Sequence, residues 1–274
     1  MARLFSSSNP VLNNEDAFRE FYGSPEVARP TTATLQGIVN RTGLLVLIAV
    51  IAGAAGYQLL AMMPSLVWIS SIAAFVIALG FGFMITGKPQ LAKIAGPIYA
   101  IVEGIFLGSF TALADRIVEG QGLVVMGGVG VQAFVITASA FAATLGLYKA
   151  GILKATPGFK KFIYIATGGI MVAYIVSFAL SFAGISVPLI SFGAAVSEQG
   201  LMGFLGLGIN LLILAVASLM LVMDFDRVEK IVGAGVSRDY EWFAAFGLLV
   251  TLAWIYFEAV KLVVRLAVLF GNRD

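Results

Sequence analysis

The sequence predicts an all-α membrane protein, a seven-helix bundle, and three observations carry that prediction. Hydrophobic residues make up 60% of the 274-residue chain and charged residues 12%, against roughly 45–50% and 25% in soluble domains. Seven apolar runs are each long enough to cross a bilayer, which takes about 20 helical residues because hydrocarbon offers the backbone no partner outside its own segment. Lys and Arg also gather in every second connection between those runs.

Residues 1–43 form a polar arm carrying Arg3, Arg19, Arg29 and Arg41. It has neither an apolar core nor a small-residue cleavage site, so it is not a removable signal peptide. The arm is expected to be flexible, and Glu15 to Tyr22 reads either as a short amphipathic helix or as a mobile tail. The first run, Leu44 to Met63, then acts as its own targeting signal. Pro64 separates it from the second, Ser65 to Thr86, and Gly87-Lys88-Pro89 turns the chain into the third, Leu91 to Leu113. The fourth, Leu123 to Leu147, is followed by Lys149, Lys154, Pro157, Lys160 and Lys161. The fifth runs from Phe162 to Phe182. Residues 183–200 stay apolar although they join two spans, so this loop is expected to lie on or dip into the outer surface. The sixth run, Leu201 to Met223, leads to a connection with Arg227, Lys230 and Arg238. The seventh, Trp242 to Phe270, is longer than one crossing needs, which tilt or an end lying among headgroups accommodates. Residues 44–270 thus form one transmembrane domain, with 271–274 as a tail.

The connections on the opposite side hold a single basic residue, Arg116. The positive-inside rule therefore places the N-terminus in the cytoplasm and, with an odd number of crossings, the C-terminus outside the cell (inner) membrane. Lys261, Arg265 and Arg273 argue mildly against the second half of that placement.

Composition also removes functions. Seventeen Lys and Arg against fifteen Asp and Glu leave a net charge of +2, too little for a nucleic-acid-binding field. The absence of His and Cys excludes Ser-His hydrolysis, thiolate nucleophiles, imidazole or thiolate metal sites and the usual neutral-pH switch. The chain is not expected to be an enzyme.

An ionisable group at the bilayer centre is disfavoured by roughly 2.5–3.5 kcal/mol, so each one in a span calls for an explanation. Glu103 stands in the third span, one turn after Tyr99 and within reach of its hydroxyl. Asn210 lies in the sixth span, which Asp224 and Asp226 close; Asn210 and Asp224 project about 40° apart on one side of the helix. In the seventh span Thr251, Glu258 and Arg265 recur every seven residues, with Trp254 and Lys261 filling in at helical spacing. A polar stripe of this kind cannot face lipid, so this helix is enclosed by the others or lines a wet cavity. The blander readings are an i,i+3 pair between Glu258 and Lys261, a protonated Glu103 bonded to Tyr99, and Asp224 with Asp226 solvated at a helix end. Gly104 with Gly108, and the glycines at 200, 203, 206 and 208, suit close helix packing.

The run from Met223 to Glu229, followed by Tyr240 to Thr251 and joined by Glu103 to Gly108, resembles the YccA-like branch of the Bax inhibitor-1 family over roughly residues 36 to 270. The resemblance implies a seven-helix bundle whose last helix is central, surrounded by three hairpins. It also implies a pH-responsive calcium-leak channel in which two aspartates on the last two helices share a proton and gate the pore. Asp224 matches the first of these. Thr251 stands in the place of the second, and no arginine occurs in span two, where channel members carry a partner for the pair. Asp226, Glu258 and Glu103 are the carboxylates left to complete one.

Two carboxylates held close together share a proton, which allows pH sensing without histidine. Calcium takes six to eight oxygen ligands, of which Asp224 and its neighbours could supply a few weakly, as conduction requires. The expected function is a pH-responsive cation leak, calcium first, with Asp224, Asp226, Thr251, Glu103, Glu258 and Asn210 along the path and no cofactor beyond weakly held calcium. The alternative is a regulatory protein that binds a membrane protease or another membrane partner through its N-terminal arm. An intramembrane aspartyl protease would need a second catalytic aspartate facing Asp224, and the sequence supplies no motif for one.

Overall fold

The computed structural model describes residues 32–62 and 66–271, and these are almost wholly helical. In order they form α1 (Leu35–Met62), α2 (Leu66–Gly87), a 3-10 turn (Pro89–Leu91), α3 (Ala92–Gly120), α4 (Gly128–Lys149), α5 (Pro157–Ser181), the short α6 (Phe192–Ser197), α7 (Gly200–Gly233) and α8 (Tyr240–Phe270). Among the described residues six helices are long and apolar enough to cross a membrane: α1, α3 with the turn before it, α4, α5, α7 and α8. Helix α2 stands where the second crossing is expected. Large apolar side chains point outward, among them Ile51, Phe83, Ile165, Val172 and Leu212. A continuous apolar exterior on this scale is what a bilayer solvates.

The helices overrun the apolar stretches that announce them. Helix α1 begins at Leu35 rather than Leu44, so the last part of the expected flexible arm is ordered helix. Helix α7 continues to Gly233, which places Asp224 and Asp226 inside it instead of at its end. In both cases polar residues extend a helix past the hydrocarbon, since backbone hydrogen bonding continues wherever no Pro or cap interrupts it. Stops and starts have identifiable causes. Thr156 accepts the Phe159 N–H at 3.3 Å and precedes Pro157 at the first position of α5. Ser191 caps α6 through the Ala194 N–H at 3.1 Å, and Asp115 accepts the Val129 N–H at 2.8 Å where α4 begins.

Helix α8 packs against α1, α3, α4, α6 and α7. It is the most enclosed of the six candidate spans, with 61% of its apolar stretch buried; α5, at 11%, is the least. The seam between α1 and α3 rests on glycine. A Cβ at Gly104 would lie 2.9 Å from the Ala49 Cα, and one at Gly108 2.8 Å from the Gly53 Cα, so small residues are needed for this approach. Loop 183–199 folds back on the bundle. Phe192 of α6 meets Phe110 at 4.6 Å, and Phe110 stacks on Phe257 of α8 at 4.6 Å.

Candidate functional site: a polar ladder along the last helix

The polar stripe of α8 lies inside the bundle. Glu241, Thr251, Glu258, Lys261 and Arg265 are all buried, none more than 5% exposed. Seven residues are nearly two helical turns, so Thr251, Glu258 and Arg265 stand at successive heights on one side of the helix. Each height has its own partners.

At the N-terminal end of α8, the Glu241 carboxylate pairs with Arg41 of α1. It also accepts the Thr34 N–H at 2.8 Å and the Thr34 hydroxyl at 3.0 Å, while Arg238 lies 3.8 Å away. The Arg41 guanidinium sits over the Trp242 ring, 5.2 Å from its centroid. A bridge between Thr32 and Ser237, with the Ala33 N–H donating to Val236 O at 2.7 Å, fastens the same segment to the α7–α8 connection.

One level along, the Thr251 hydroxyl donates to Asp224 Oδ2 at 2.6 Å. The Arg227 guanidinium stands 4.0 Å from the other carboxylate oxygen. Asp224, Arg227, Val228, Phe243, Ala244 and Gly247 line a cavity of about 10 Å³, close to the least space one water needs. Asp226 turns elsewhere, bonding Lys160 of α5 and Lys230 at 2.7 Å each. The two aspartates therefore do not form a pair.

The third level is the densest. Asn210 Nδ2 donates to Glu258 Oε2 at 2.8 Å, and the Tyr174 hydroxyl of α5 donates to Glu258 Oε1. Lys261 Nζ lies 3.0 Å from Glu258 Oε2 and donates to the Tyr174 oxygen at 2.7 Å and to Ile190 O at 3.4 Å. The same ammonium faces the rings of Tyr174 and Phe257, 4.6 and 5.4 Å from their centroids. Asn210 Oδ1 is buried with no hydrogen-bond partner. Beyond this level Arg265 donates to Glu198 at 3.2 Å and to Leu189 O at 2.8 Å, pinning the loop ahead of α7 across the end of the ladder. Leu189 takes a left-handed φ of 65° there, a conformation unusual for a side chain of this kind.

The structure thus gathers Asp224 with Thr251, and Asn210 with Glu258, on the α7–α8 interface. Glu103 is hydrogen-bonded to Tyr99 as its spacing predicts, and among the described residues it joins neither group. Three participants were not singled out from sequence. Glu241 sits in a motif with no mark of its burial, and its partners Thr34 and Arg41 are distant in the chain. Tyr174 offered the faint signal of a hydroxyl within an apolar run. Glu198 carries no mark in the sequence that separates it from any other loop acid. The helix or tail expected from Glu15 to Tyr22, and all of residues 1–31 of the arm on which a partner-binding role would rest, lie outside the described residues.

As for metal, no group of three or more His, Cys, Asp or Glu side chains converges among the described residues. A calcium ion near Asp224 would draw on one carboxylate, the Thr251 hydroxyl and backbone oxygens, a weak donor set. No curated protein matches the chain, and no solved structure does. The family comparison does give a match, to the description "Bax inhibitor 1 like", over residues 9–268. With nearly its whole length covered, and with apolar helices suited to a bilayer, the chain belongs to the Bax inhibitor 1 like family of integral membrane proteins.

Proposed function

We propose that the protein is a slow, pH-responsive cation leak across the membrane, with calcium the first ion to test. In this reading the chain makes seven crossings, with α8 enclosed by the rest, the N-terminus in the cytoplasm and the C-terminus outside the inner membrane. The observation that carries it is the buried ladder on α8. A helix that brings the Glu241 and Glu258 carboxylates and the Thr251 hydroxyl into the interior, with Lys261 and Arg265 beside them, sets oxygen ligands at intervals along a direction roughly across the bilayer. Intramembrane ionisable residues that face a bundle interior typically mark ion or proton pathways. Each rung is held by partners on neighbouring helices or on loop 183–199, which describes a closed path whose opening requires those partners to exchange.

Asp224 is the gate on the cytoplasmic side in this proposal, since its one hydroxyl donor, Thr251, and its longer contact to Arg227 leave it the least committed of the buried acids. Glu258 and Asn210 lie further in, and Glu103 offers a carboxylate nearer the midplane. The test is calcium entry into sealed liposomes over a pH series from mildly acidic to mildly alkaline. Intact protein is expected to admit calcium in a pH-dependent manner, and Asp224→Asn to lose most of that dependence. Equal flux from both proteins at every pH would remove Asp224 from the mechanism.

A further inference from the structure

The geometry points to Lys261 as a tethered cation: its ammonium occupies a cation-binding site formed by Glu258, Tyr174 and the Ile190 carbonyl, and so blocks that site from within. The shell around Nζ is the kind a bound ion would have. It comprises a fully buried carboxylate at 3.0 Å, a phenolic oxygen at 2.7 Å and a backbone carbonyl at 3.4 Å, with the ring centroids of Tyr174 and Phe257 4.6 and 5.4 Å away. Three oxygens match the three protons of an ammonium group, so the lysine satisfies every donor it has. The ring contacts add cation–π attraction around an ammonium whose side chain is only 3% exposed.

Two further features suggest more than an ordinary ion pair. The Asn210 Nδ2 amide group donates to the Glu258 carboxylate, which fixes the orientation of the amide. Its Oδ1 is then left buried and unpaired beside the cluster, an acceptor that the lysine does not use and a mobile cation could. The site also includes a main-chain carbonyl from loop 183–199, a rigid oxygen of the type that replaces hydration water around permeating ions. Oxygen distances of 2.7–3.4 Å exceed the 2.3–2.6 Å of calcium contacts. The site therefore fits a monovalent cation of about potassium size, with calcium passing only after the shell contracts.

The transport consequence rests on the leak reading, whereas the binding site does not. The test removes the tether with Lys261→Ala and, should that variant fail to fold, with Lys261→Gln, whose neutral amide retains a partner for Tyr174. Thermal unfolding in detergent is compared between potassium chloride and the chloride of a bulky organic cation at equal ionic strength. The unsubstituted protein is expected to respond equally to both salts. Either variant should gain roughly 5 °C or more in potassium well above its dissociation constant, and that gain should vanish when Glu258→Gln is added. Potassium flux into liposomes should rise several-fold in the single variants. If both folded variants are indifferent to potassium, the tethered-cation proposal is overturned while any calcium leak of the unsubstituted protein still stands. If the variants bind potassium and no form conducts any ion, the site stands and the leak reading falls.

Discussion

Replacing Gly108 with alanine should separate α1 from α3. The added methyl would lie 2.6 Å from the carbonyl carbon and 2.8 Å from the Cα of Gly53, where carbon atoms prefer about 3.5–4.0 Å. These are backbone atoms, so no rotamer change can relieve the overlap and the helices must move apart by about 1 Å. That shift would also stretch the bond from the Ser109 hydroxyl to Gly56 O, now 3.1 Å, beyond useful range. Overpacking of this kind costs roughly 1–3 kcal/mol, and the weakened hydrogen bond adds about 1 kcal/mol, giving an expected loss of about 2–4 kcal/mol. Denaturant unfolding in micelles, followed by circular dichroism, measures it. Gly43→Ala is the control, because a methyl there meets nothing within 4 Å and should be neutral or stabilising by up to about 1 kcal/mol. If Gly108→Ala proved as stable as Gly43→Ala, the glycine seam would not hold these two helices as described.

Two other substitutions probe the ladder. Glu241→Ala strips the Thr34 N–H, the Thr34 hydroxyl and Arg41 of a common buried acceptor; it should destabilise by about 3–5 kcal/mol and speed amide exchange at Thr34, with unchanged exchange there counting against the clamp. Thr251→Asp places a second carboxylate against Asp224 at a contact now 2.6 Å long. Two acids so close cannot both be charged, so this variant should hold one proton between them and unfold at a lower temperature in mildly alkaline than in mildly acidic buffer. A pH profile of unfolding identical to that of the unsubstituted protein would show that positions 224 and 251 do not face each other.

Much of this arrangement is legible in the sequence because it follows from periodicity. The apolar runs locate the helices, the four-residue spacing of Tyr99 and Glu103 gives their hydrogen bond, and the three-residue spacing of Glu258 and Lys261 gives their ion pair. The stripe on the last run, which lipid would not tolerate, already implies that this helix is enclosed. What periodicity cannot supply is the axial register between helices. Whether Asp224 meets Thr251 or Glu258 depends on how far α7 slides along α8, and that is decided by side-chain packing over the whole interface. The same holds for Glu241, whose partners lie at the far end of the chain, and for Tyr174, whose hydroxyl reaches α8 from a helix that shares little surface with it. The start of α1 and the end of α7 escape the sequence for a different reason: apolar runs mark where hydrocarbon stops, whereas helices run on to their caps.

Helix α5 presents most of its surface outward and has α7 as its main neighbour. Two moorings carry much of its attachment: Lys160 to Asp226 near one end, and Tyr174 to Glu258 and Lys261 further along. Phospholipid molecules therefore compete directly with protein for the flank of this helix. With so little protein beside this helix, the place of the Tyr174 phenol rests on these two moorings more than on packing along its length.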